Sequence, residues 1–229
     1  MKSYSTKASV KMDVEQQKVI VQTEEFVRSR LSGDVTGHDW WHVDRVRRTA
    51  LALCHSEGGD PFLVELIALL HDVDDWKFRE KNGVPGTETR QWLEPLGIDS
   101  ETAEFVLDTI ERISFKGANV ADEMPVLEGC LVQDADRLDA IGAIGIARCF
   151  AYGGHTGQAI HDPEKLPQQY DSFEDYKTKS GSSLNHFYEK LLLLQDRMQT
   201  ETACKIAAER HTFLEEFLKR FKTEWNYPE

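Results

Sequence analysis

Apolar residues recur at helical spacing along nearly the whole chain, and no run shows the sustained alternation expected of a half-buried strand. The pattern predicts an all-α protein. Residues 13–32 open with Asp13 and Gln16 at capping-box spacing, set Val19, Thr23, Phe26, Val27 and Leu31 on one face, and stop at Gly33. A second helix, about 40–56, carries Val43, Val46, Ala50, Leu51 and Cys54 and ends at Gly58-Gly59. A third begins with Asp60 as cap and Pro61 in its first turn. Its body, FLVELIALLHDVDDW, is apolar on almost every side, which predicts burial in the middle of the domain. Further helices are predicted at 86–96, 100–114, 123–151, 183–198 and 200–225, the last with Ile206, Ala207, Phe213, Leu214, Phe217, Leu218 and Phe221 at core spacing. Gly142 and Gly145 predict close approach of another helix, and residues 153–181, rich in Gly, Pro and Asp, predict a long loop or lid.

Composition narrows the picture. The 229 residues, 40% hydrophobic, can bury a substantial core, and we expect a single domain over 13–229 behind a flexible segment at 1–12. A formal charge of −13 without an offsetting basic stripe excludes a long nucleic acid as partner, but not a small anion met by local cations. No apolar stretch approaches the ~18–20 residues of a membrane span. The N-terminus, MKSYSTKASVKMD, lacks the apolar core of a secretory signal, so no membrane association and a cytoplasmic location are expected. Cys54, Cys130, Cys149 and Cys204 lie far apart within apolar patterns and read as reduced core thiols.

The chemistry starts at His71-Asp72, near the end of the apolar third helix, where two desolvated polar side chains need partners. Adjacent helical residues point ~100° apart, so both reach one ion only at the helix edge, and other helices must complete its coordination. His42, at the start of an amphipathic helix, and Asp136, interrupting the apolar pattern of VQDADRLDAIGAIGIAR, complete a two-His, two-Asp set. Such ligands suit one divalent ion with open positions: manganese first, with cobalt, nickel, iron or magnesium also fitting.

The order His42, His71-Asp72, Asp136 resembles the H…HD…D pattern of HD-domain metal-dependent phosphohydrolases. The phrases LLHDVDDWKF, QDADRLDAIGAIGIARCFAYGG and HFYEKLLLLQDRM are similar to compact bacterial members that include nucleotide pyrophosphohydrolases, a likeness spanning most of 25–225. It implies an HD-type helical bundle with the metal site between central helices, and a small phosphorylated substrate, a nucleotide above all. The expected reaction cleaves a nucleoside triphosphate to monophosphate and pyrophosphate. A nucleoside monophosphatase and a non-catalytic nucleotide sensor are the alternatives, and a homodimer is left open. Binuclear members place additional histidines between the HD pair and the last aspartate; this chain has none between His71 and Asp136, which implies a mononuclear site.

In the inferred mechanism the ion lowers the pKa of a bound water, giving a hydroxide that attacks phosphorus. Asp75, one turn beyond His71, is a candidate for proton transfer, equally readable as a helix-end hydrogen bond or ion pair. Lys77, Lys116, Arg45 and Arg137 are the cations nearest the motif in sequence and are candidates for phosphate oxygens, each otherwise a solvated charge. His186 and Lys190, four residues apart on one helical face, are candidates for a distal phosphate or for a structural hydrogen bond. Asp39 reads as the cap of the second helix, beside His38 at the site entrance, and among the indoles Trp76 alone reads as a candidate for stacking on a base.

Overall fold

The structure, a computed structural model, describes residues 12–32, 37, 39–74, 86–113, 123–168 and 181–226. The described residues form nine α-helices and no strand: α1 Val14–Arg30, α2 Trp40–Glu57, α3 Pro61–Leu70, α4 Thr87–Leu93, α5 Ser100–Ile113, α6 Leu127–Asp139, α7 Gly142–His155, α8 Ser183–Glu189 and α9 Glu201–Trp225. The candidate residues His38, Asp75, Trp76, Lys77 and Lys116 lie outside the described residues.

Helix starts obey their side chains. Asp13 and Gln16 form a reciprocal capping box on α1, the Asp39 carboxylate accepts the His42 amide at 3.0 Å, and Asp60 accepts the Phe62 amide ahead of Pro61. Around α3 pack α1, α2, α5 and α6. Val64, Leu66, Ile67, Ala68, Leu69 and Leu70 are all fully buried there, as the all-round apolar pattern predicts. Each such leucine contributes about 1.5–3 kcal/mol of burial. This central rod therefore has little freedom to move, and His71-Asp72 continues directly from its end.

The structure corrects the predicted elements in three places. The helix expected over 123–151 is two: α6 stops at Asp139, and Gly142 opens α7 with φ +74°. A Cβ on Gly145 would stand 2.2 Å from the Ala140 carbonyl oxygen, so the glycines serve a sharp corner. Close approach is also present, since a Cβ on Gly142 would stand 3.0 Å from Arg210 of α9. The helix expected over 183–198 ends at Glu189; Lys190 leaves helical geometry, and 3-10 turns at Leu191–Leu193 and Gln195–Arg197 come next. That tighter winding aligns residues three apart, which here buries Leu191 and Leu194 together. Finally, the expected loop begins after His155, and its described part is fastened down. The Ala159 and Ile160 carbonyls accept the Ser183 and Leu184 amides, Asn185 donates to the Lys165 carbonyl, and His161 stands edge-on to Trp225 at 4.9 Å.

Single residues also depart from expectation. Cys204 is exposed on α9 and Cys130 and Cys149 are half-buried, leaving Cys54 alone as a buried thiol. Trp41 is exposed, whereas Trp92 stacks on Phe26 at 4.1 Å and donates to Thr23. Among the described residues no helix is long and apolar enough to cross a membrane.

Candidate metal centre

Three helices bring the site together. α2 carries His42 in its first turn, the end of α3 delivers His71-Asp72, and α6 carries Asp136. The HD pair lies just past α3, His71 being its C-cap, in a turn over 71–74. That turn is held at its far end by Asp74, whose carboxylate accepts the Glu88 and Thr89 amides at 3.2 and 2.8 Å and so caps α4, whose N-cap residue is Gly86.

His42, His71 and Asp72 are buried and present one ligand atom each within 4.8 Å of one another. His42 Nε2 lies 3.3 Å from Asp72 Oδ2 and 3.4 Å from Asp136 Oδ1, while His71 Nε2 lies 3.6 Å from Asp72 Oδ1. The two imidazoles meet edge to face at 5.4 Å. Each uses its other nitrogen elsewhere: His71 Nδ1 is 2.8 Å from the Ala68 carbonyl oxygen, and His42 Nδ1 is 2.7 Å from Asp139 Oδ2. With Nδ1 engaged on both rings, Nε2 is the nitrogen that each turns toward the carboxylates. Among the described residues His71 Nε2, which is buried, has no hydrogen-bond partner, a costly state for a polar atom with nothing to bind.

These residues fit a divalent cation. Donor separations of 3.3–3.6 Å are within what bonds of about 2.1 Å to a single ion can span, and the mixed imidazole and carboxylate set lacks the cysteines of a closed structural zinc site. The electrostatics agree. Burial lowers the His42 pKa, and Arg148 lowers it further. Hydrogen bonds to Asp136, Asp139 and Asp72 outweigh both and bring it up to about 10. Burial raises the Asp136 carboxyl, but His42 more than reverses this and holds it below the usual carboxylate range.

The other described candidates lie on α2, on α6, and on or just after α8. Arg45 is paired with Asp139. Arg137 is buried and donates to the Arg197 carbonyl. His186 lies on α8 and Lys190 just after it, and α8 packs on α7. The sequence reading missed two residues: Asp139 of α6, which adjoins His42, and Arg148 of α7, which donates to Asp139. The only signal in sequence was the spacing of Asp139, three residues past Asp136, which is also the spacing of an ordinary solvated face.

Comparison with known proteins points the same way. The HD domain family matches residues 40–141, the stretch that contains His42, His71-Asp72 and Asp136. YpgQ of Bacillus subtilis is 37% identical over 204 residues, covering 89% of this chain and 92% of its own, and has been crystallised in complex with ADP. A Lactobacillus plantarum protein superposes with a TM-score of 0.83 at 35% identity, covering 95% of this chain and 100% of its own. An HD-superfamily hydrolase from Bacillus thuringiensis is 43% identical with a TM-score of 0.69, covering 93% and 100%. Matched by the HD domain family over the stretch that holds the motif, and 43% identical to an HD-superfamily hydrolase whose whole length it covers, the chain belongs to the HD-domain phosphohydrolase superfamily.

Proposed function

We propose that this protein hydrolyses nucleoside triphosphates to monophosphate and pyrophosphate with the help of one divalent ion, manganese being the first choice. The observation that carries the reading is the convergence of His42, His71 and Asp72 on one point, with Asp136 Oδ1 3.4 Å from His42 Nε2. The ADP bound by YpgQ supports a nucleotide as the substrate class.

His42 and His71 would hold the ion through Nε2, and Asp72 and Asp136 through carboxylate oxygens. A bound divalent ion supplies Lewis acidity, acidifying water and offsetting charge on phosphate oxygens. Asp136 keeps its side chain 31% exposed, against 8% for Asp72, which supports an approach of substrate from the α6 side. Asp75, immediately after the 71–74 turn, takes the proton of the attacking water. Lys77 and Lys116 meet the phosphate oxygens, with His186 and Lys190 toward the distal end. Arg45 lies at the same centre with Nε and Nη2 on Asp139, whereas Arg137 is enclosed in the protein and would have to leave its carbonyl partner to reach a substrate.

The test is to assay metal-stripped protein, reloaded with manganese, cobalt, nickel or magnesium, against nucleoside mono-, di- and triphosphates, measuring phosphate and pyrophosphate separately. Pyrophosphate release that disappears in Asp72→Ala is the expected outcome. Phosphate released from monophosphates would replace the reading with a monophosphatase, and tight nucleotide binding without turnover under any metal would replace it with a sensor.

A further inference from the structure

Asp139 ends α6 one turn beyond Asp136, and its side chain is only 7% exposed. Three side chains from two other helices converge on its carboxylate. His42 Nδ1 lies 2.7 Å from Oδ2, Arg45 donates through Nε and Nη2 at 2.7 and 3.1 Å, and Arg148 donates through Nη1 at 3.0 Å. Arg148 also donates through Nε to the Gly37 carbonyl oxygen at 2.8 Å. Its aliphatic stem lies so close to that glycine, at φ +88°, that a Cβ there would be 3.2 Å from Arg148 Cγ.

A buried carboxylate facing two guanidiniums stays ionised and can only accept hydrogen bonds. The atom of His42 that faces it must therefore carry a ring proton, so that in the neutral ring Nε2 is the nitrogen with the lone pair for a metal. His71 reaches the same tautomer by a different route, through the neutral Ala68 carbonyl. His42 alone is oriented by a full negative charge, which also makes its ring the stronger donor. Arg148 adds a mechanical link, because it ties the segment just before α2 to the same carboxylate and so fixes the first turn of α2, where His42 sits.

We propose that Asp139, held as an acceptor by Arg45 and Arg148, is the positioning residue that sets the tautomer and ring direction of His42 for metal binding. The role rests on the metal site described above, and the experiment separates the two. Metal-stripped wild type, Asp139→Asn and Asp72→Ala are titrated with cobalt(II), following visible absorption. Wild type binds with a defined spectrum and Asp72→Ala does not. Asp139→Asn binds about 10–100-fold more weakly with an altered spectrum, since an asparagine amide can offer Nδ1 an N–H as readily as an oxygen. A folded Asp139→Asn with wild-type cobalt affinity and spectrum overturns the positioning role and leaves the metal site standing. Wild type that binds no cobalt overturns both. A measurement on wild type keeps the proposal open to refutation even if the variant does not fold. In zinc-loaded protein, long-range nitrogen–proton correlation must show His42 protonated at Nδ1 with Nε2 as the metal-bound nitrogen. The opposite tautomer overturns the proposal.

Discussion

At His42 a proton and a metal ion compete for one nitrogen. With Nδ1 engaged by Asp139, the second proton of the cationic ring sits on Nε2, the atom that faces Asp72 and Asp136. Because those acids bring the His42 pKa up to about 10, apparent metal affinity should rise about tenfold per pH unit through neutrality, levelling off near pH 10. Calorimetric titrations with manganese at several pH values check this, and a flat profile would mean that His42 is not a ligand. In the metal-stripped protein the sign for stability comes from the same shift. The folded pKa of His42 lies above its ordinary 6.5, so its stabilisation is complete below about pH 6.5 and is lost as pH rises through about 10. Asp136 and Asp139 are shifted down, so theirs is present above their ordinary 3.8 and is lost as pH falls below it. Stability of the stripped protein should therefore peak between roughly pH 4 and 6.5, as urea unfolding across pH would show. His42, His71, Asp72 and Asp136 were legible in sequence because each interrupts or borders an apolar pattern. Asp139 and Arg148 were not, because their meaning lies in contacts to residues 97 and 111 positions away.

Helix ends account for most of what the sequence told correctly, and helix interruptions for most of what it hid. Asp13, Asp39 and Asp60 announced their helices through local capping chemistry. The start of α9 is instead capped at a distance: Glu57 of α2 accepts the Thr202 amide at 2.7 Å. Asp134 of α6 accepts the Gln199 and Thr200 amides and the Thr200 hydroxyl at 2.8–3.1 Å. Asp134→Ala should cost about 1–3 kcal/mol, with hydrogen-exchange protection lost first around 199–204; unchanged exchange there would refute the docking role. The corner between α6 and α7 was hidden because Gly142 and Gly145 also suit close helix packing. Gly145→Ala drives a methyl into the Ala140 carbonyl and should destabilise by about 1–3 kcal/mol in urea unfolding. If alanine were tolerated without loss, the corner would not depend on this contact.

For the whole molecule, the centre links α2, the end of α3 and α6, which together enclose much of the core. An ion that binds only the folded chain stabilises it by about 2.7 kcal/mol at a hundred times its dissociation constant. For a chain of this size that is a rise of about 5–11 °C in Tm. Melting curves with and without manganese should show the rise in wild type and none in Asp72→Ala; equal rises in both would place the ion elsewhere. The all-helical class and the central position of α3 were readable because periodicity is local, whereas the fastening of 156–168 onto α8 and α9 depends on long-range contacts that no local pattern announces. One element binds these levels together. Within six residues, α6 turns Asp134 toward the start of α9, Asp136 toward His42, Arg137 toward Arg197, and Asp139 toward two arginines. Because each added residue rotates the rest of a helix by ~100°, a one-residue insertion ahead of Asp134 would misdirect all four side chains at once. Here the count of residues is itself a specification: a replacement in α6 removes one of these contacts, whereas a change of length disturbs all four.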